Sequence, residues 1–146
     1  MKLFFYNVTF YGCESLTSVT IPKGVTRICD NVFKDCKVLK YINIPEGIAE
    51  IGRGAFWGCN ALTDVTIPEG VTSIGDSAFY HCKSLESINI PKSVTKIDDC
   101  AFAGCESLKS IDIPGVTSIG DRAFAGCEAL ESMTLREELL RQLLRQ

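Results

Sequence analysis

Leu62-Thr63-Asp64-Val65-Thr66-Ile67-Pro68-Glu69-Gly70-Val71-Thr72-Ser73-Ile74-Gly75-Asp76-Ser77-Ala78-Phe79-Tyr80-His81-Cys82-Lys83-Ser84 is one full period of a pattern that fills nearly the whole chain. Read from its leucine, the unit is L-x-x-(V/I)-x-I-P-x-G-(V/I)-x-x-I-G-x-x-A-F-x-G-C-x-x. It recurs from Leu16, Leu39, Leu62, Leu85 and Leu108 to a final strand opening at Leu130. The spacing is 23 residues throughout except for the last interval of 22, because Pro114-Gly115-Val116 lacks the residue that Lys23, Glu46, Glu69 and Lys92 supply after their prolines. A unit this short cannot bury its own apolar side chains, so fixed self-similarity predicts a solenoid whose units stack on one another.

The spacing within the unit places its parts. Leu16, Val19, Ile21 and their equivalents form the inward positions of a short parallel strand, one per repeat, which Pro22, Pro45, Pro68, Pro91 and Pro114 end because proline cannot donate to a sheet ladder. Val71 and Ile74, with their equivalents, start a second extended segment across the coil. The A-F pair then buries Phe33, Phe56, Phe79, Phe102 and Phe124, and a Gly-Cys corner returns the chain to the next leucine. The expected fold is mainly β, with residues 1–135 as one array.

At 146 residues and a net charge of −3 the chain has room for one domain and no basic stripe for phosphates, which argues against a nucleic-acid partner. Its apolar runs are too short for a bilayer span. The start, Met1 to Cys13, is not expected to be a signal peptide: Phe10 and Cys13 already stand at repeat phases, 23 residues before Phe33 and Cys36.

Eight cysteines would ordinarily suggest a disulfide framework or zinc, but Cys13, Cys36, Cys59, Cys82, Cys105 and Cys127 share one phase. They are expected to form a row of small buried thiols; a straight ladder with one histidine in the chain offers no tetrahedral metal site. Adjacent rungs remain within reach of a disulfide by spacing alone. No cofactor is expected. Catalysis is not expected either, because His81 and Cys82 are adjacent in sequence and should not face each other. The acids Asp30, Asp76, Asp99 and Asp121 share a phase that a polar turn residue explains.

This pattern resembles the BspA-type leucine-rich repeats, through the I-P, I-G-x-x-A-F-x-G-C and L-x-x-I elements spread over roughly residues 5 to 135. The resemblance implies a leucine-rich-repeat arc, an extracellular or cell-surface location, and a protein partner, a host or extracellular protein among them, bound in recognition or adhesion. It implies a binding module and no enzyme.

In such an array function lies on columns of outward residues. Most columns beside the strand are small and polar; Tyr41, Asn43, Asp64, Thr66 and Asn89 are the partner-binding candidates there, with Tyr41 the residue type that interface hot spots favour. Trp57, Tyr80 and His81 form a second candidate patch at the corner.

The ends need cover, because an open solenoid exposes its core. Phe4 and Phe5 are candidates at the start. Residues 136–146 are good helix formers, with Leu139, Leu140, Leu143 and Leu144 on one face. Three uses compete for this short amphipathic helix: a cap on the last coil, a leucine seam pairing two copies, and a membrane-surface segment, the last weakened by two glutamates and the lack of aromatic anchors. Homo-oligomerisation through these terminal surfaces is the alternative function.

Overall fold

The structure, a computed structural model, describes residues 9–144. Each coil opens with a short strand: β1 (Ser18–Thr20), β3 (Tyr41–Asn43), β5 (Asp64–Thr66) and β7 (Ser87–Asn89), lengthening to four residues in β9 (Ser110–Ile113) and β11 (Ser132–Leu135). Residues of equal phase face each other. Ser18 stands opposite Tyr41, Val19 opposite Ile42 and Thr20 opposite Asn43, all parallel; β5 pairs with β7 and β9 with β11 in the same way. Alternation of side chains across the strand sends Val65, Ile88 and Ile111 inward and leaves their neighbours in solvent.

The segment across the coil is also a strand. β2 (Arg27–Ile28), β4 (Glu50–Ile51), β6 (Ser73–Ile74), β8 (Lys96–Ile97) and β10 (Ser118–Ile119) join in one parallel sheet, in spatial order β2-β4-β6-β8-β10. Each full coil therefore carries two strands where the sequence pointed to one. This second row is the more continuous, since the first is divided into three two-stranded pairs. Buried Ile28, Ile51, Ile74 and Ile97 fix its inward side.

Between the rows lies an apolar core of identical layers. Phe10, Phe33, Phe56, Phe79, Phe102 and Phe124 stack with ring centres 5.2 to 5.6 Å apart and planes within 12° of parallel. Such offset stacking adds to the gain from burial. The cysteine row runs beside them. Cys36, Cys59, Cys82 and Cys105 are buried, all eight cysteines are free thiols, and the row is tied by a bond the sequence did not reveal. The thiol of Cys59 donates to the Phe33 carbonyl at 3.2 Å, that of Cys82 to Phe56 at 3.1 Å, and that of Cys105 to Phe79 at 3.2 Å. Cysteine is thus both a small apolar filler and a donor to the coil before it. Burial pushes the thiols of Cys59, Cys82 and Cys105 far up from their ordinary value.

The corner is built from backbone that runs left-handed at two phases. One holds Asn31, Gly54, Ser77, Cys100 and Arg122, and the other Gly12, Asp35, Gly58, His81, Gly104 and Gly126. At Asn31, Asp35 and His81 the side chain leans over a glycine of the next coil. A methyl added at Gly58 would meet Asp35 Oδ1 at 2.3 Å, and one added at Gly104 would meet the His81 ring at 3.2 Å. At Gly54, Gly58 and Gly104 the preceding coil's side chain already fills the space a Cβ would take.

The shortened unit has a physical consequence of the same kind. Losing one residue after Pro114 draws the backbone of Gly115 onto the preceding coil, so that a Cβ there would lie 1.9 Å from the Lys92 carbonyl oxygen. Beyond β11 the chain turns into helix α1 (Glu137–Leu144), whose Leu139 is 4% exposed and joins the core cluster. Glu137 and Glu138 stand in its first turn, where the helix dipole favours acids.

Candidate functional site

Three surfaces run along the solenoid, each a set of columns. On the first strand row, Tyr41 and Asn43 from β3 and Asp64 and Thr66 from β5 come together with Ser18 and Thr20 around a shallow trough of about 470 Å³. Tyr41 stands out of it, 64% exposed, because its place in the strand points away from the core. Asn89 lies one rung further, opposite Thr66, and does not line the trough. What this trough offers a partner is a single aromatic ring among one amide, three hydroxyls and one carboxylate.

The second row presents charge. Arg27 pairs with Glu50 across the β2–β4 rung and with Asp30 at 3.0 Å, and Lys96 sits 3.7 Å from Asp98. These exposed pairs contribute little stability each. The acid phase has a structural role: Asp30 Oδ1 accepts the Arg53 backbone N–H at 2.9 Å, and Asp99 Oδ1 accepts that of Asp121 at 2.8 Å. Each acid thereby ties one coil to the next. Among the described residues no three His, Cys, Asp or Glu side chains come together to hold a metal.

The third surface is the corner edge. Trp57 and Tyr80 pack with ring centres 4.5 Å apart, and Tyr80 and His81 at 4.2 Å, so the structure brings these three predicted residues together. Sequence reasoning missed two members of the same column. Lys34 places its ammonium 4.2 Å from the centre of the Trp57 ring and 5.5 Å from that of Tyr11. The signal was present, since Tyr11, Lys34, Trp57 and Tyr80 are spaced by one period. His81 and Cys82 lie on opposite sides of the backbone, the thiol buried and bonded to Phe56, the ring at the surface beside Tyr80.

At the C-terminal end the predicted leucines divide. Leu139 is buried, whereas Leu140 is exposed and Leu144 is 77% exposed. Leu143 lies within the helix, but its side chain is outside the described residues, as are Phe4 and Phe5. No helix among the described residues is long and apolar enough to cross a membrane.

Comparison with known proteins matches this architecture. The model of the BspA type leucine rich repeat region matches six copies over residues 4–131. Among solved structures, a leucine-rich repeat protein from Bacteroides ovatus is 42% identical with a TM-score of 0.81, over 85% of this chain and 32% of that one. A leucine rich cell surface protein from Faecalibacterium prausnitzii is 41% identical with a TM-score of 0.74, over 82% of this chain and 36% of that one. The leucine rich repeat protein of T. pallidum is 28% identical with a TM-score of 0.69, over 93% of this chain and 72% of that one. The chain thus spans about a third of the length of the first two. No curated protein is significantly similar to it.

Proposed function

The chain belongs to the BspA type leucine-rich repeat family, and from that premise we propose that it is a non-catalytic protein-binding module acting at the cell surface or outside the cell. Its recognition surface is the outward face of the first strand row. One observation carries this reading: Tyr41 stands 64% exposed over the trough formed by Asn43, Asp64 and Thr66. An aromatic ring with a polar tip, held on a strand, loses little rotamer freedom on binding and is a residue type that dominates interface energetics. Likeness to a cell surface protein over most of this chain supports the location.

The test is a binding screen of the whole chain against immobilised extracellular proteins, repeated with Tyr41→Ala. A hot spot of about 2 kcal/mol weakens binding roughly 30-fold. Partners found in the screen that bind Tyr41→Ala and Asn43→Ala as tightly as the parent refute the reading.

A second reading rests on a different observation. Leu140 and Leu144 are exposed on α1 while Leu139 faces the core, so the helix serves two purposes: cover for the last coil, and a leucine edge offered to a second copy. Light scattering over a concentration series, on the full chain and on a version ending at Leu135, separates them. An oligomer that becomes a monomer on shortening supports assembly; a monomer that melts lower on shortening supports cover alone.

A further inference from the structure

Down the corner edge, the residue after each core phenylalanine is Tyr11, Lys34, Trp57, Tyr80, Ala103 and Ala125. In the first coils this column supplies its own cation: the Lys34 ammonium lies against the faces of both Trp57 and Tyr11. The quadrupole of an aromatic ring attracts positive charge to its face, and one period of the solenoid brings a side chain to the right distance. Past Tyr80 the pattern stops. Ala103 and Ala125 contribute only methyl groups, and a depression of about 400 Å³ opens, walled by Tyr80 and His81 and lined further on by Glu106 and Glu128.

We propose that this depression binds a basic side chain of a protein partner, arginine in preference to lysine, with the guanidinium against the Tyr80 and His81 rings and paired with Glu106 and Glu128. Charge selects this occupant. The column that carries the two glutamates reads Glu14, Lys37, Asn60, Lys83, Glu106 and Glu128. Lysines stand in the units of Lys34 and Tyr80 and a carboxylate in that of Tyr11, while both units whose edge is vacant carry a carboxylate. Arg122 also lines the depression, where two carboxylates stand against its one positive charge, and Asp99 and Asp121 line the adjoining depression. Arginine is preferred because its planar group stacks on a ring and pairs with a carboxylate through two parallel bonds. His81 holds a left-handed φ of 58° where four of the six residues at its phase are glycine. Its imidazole is thereby bent over Gly104 to form the wall.

The site is separate from the strand face and does not depend on it. His81 is the only histidine in the chain, so its ring protons form a single reporter. The full chain is titrated with N-acetyl-arginine methylamide and, in parallel, with the citrulline analogue, which has the same shape and no charge. The expected result is a saturable shift of the His81 resonances with the arginine probe, and binding of the citrulline probe at least about tenfold weaker, as loss of a charge-assisted pair implies. Glu106→Gln with Glu128→Gln, both at exposed positions, abolishes the preference, while Tyr41→Ala leaves it unchanged. Equal response to the two probes, no response to either, or a preference that survives the double substitution overturns the proposal.

Discussion

Raising the pH tests the thiol ladder directly. Cys59, Cys82 and Cys105 are completely buried, and burial drives their pKa values far upward in the folded chain, while an unfolded chain's thiol titrates near 9.0. Above that value the unfolded state releases protons that the folded state retains. The unfolded chain then binds fewer protons than the native one, and stability falls as pH rises. The contribution is intact below the unfolded pKa and is lost progressively above it. At pH 10, one unit beyond, each thiol costs about 1.4 kcal/mol, and the three together about 4 kcal/mol, a large part of the stability of a typical domain. The alkaline loss of each variant is compared with that of the parent, so the measurement is a double difference. Urea unfolding at pH 7 and pH 10 in the presence of a reductant gives the alkaline loss for the parent, for Cys82→Ala and for the triple alanine variant. The loss should shrink by about 1.4 kcal/mol in the single variant and about 4 kcal/mol in the triple one. Identical losses in parent and Cys82→Ala would falsify the claim that this thiol stays protonated in the core.

Other outcomes follow from the same layers. Phe56→Ala, which removes a buried ring stacked on both sides, should cost about 4 kcal/mol by urea unfolding, and Phe124→Ala, half-buried and stacked on Phe102, about 2 kcal/mol; equal costs contradict the stack. Gly115→Ala forces a methyl onto the Lys92 carbonyl and should cost about 3 kcal/mol, whereas Gly47→Ala, with open space around it, should cost about 1 kcal/mol for its positive φ alone. A thiol reagent should modify Cys29 and Cys100 in the folded chain and reach Cys36, Cys59, Cys82 and Cys105 only in denaturant; rapid labelling of Cys82 in native buffer would contradict its burial.

The fold was largely legible because every phase repeats one stereochemical problem. Proline after the first strand, glycine in the corner and an invariant phenylalanine each specify a local answer, and stacking multiplies it. The second row was read as extended but not as the more continuous sheet, since its two-residue strands are too short for an alternation pattern to register. The thiol bonds were hidden for another reason. Donor and acceptor stand 26 residues apart, three more than the period, so the pairing joins different phases. At the candidate surfaces, Trp57 and Tyr80 are picked out by their place after the buried phenylalanine in consecutive units, with His81 beside them. Lys34 was missed because a lysine reads as a solvated charge until its stem is seen to lie along the corner. Glu106 and Glu128 carry no signal alone; they matter only beside the vacancy left by two alanines.

The ladders that tie one coil to the next join residues 21 to 26 apart, from the strand pairing to the corner bonds and the thiol row. Closing the loop between neighbouring coils therefore costs about the same entropy at any point along the array. Folding can start wherever two adjacent coils first meet and spread in both directions. The coils that carry Phe56 and Phe79 are stacked on a coil at either side, so their amide protons should be among the slowest to exchange.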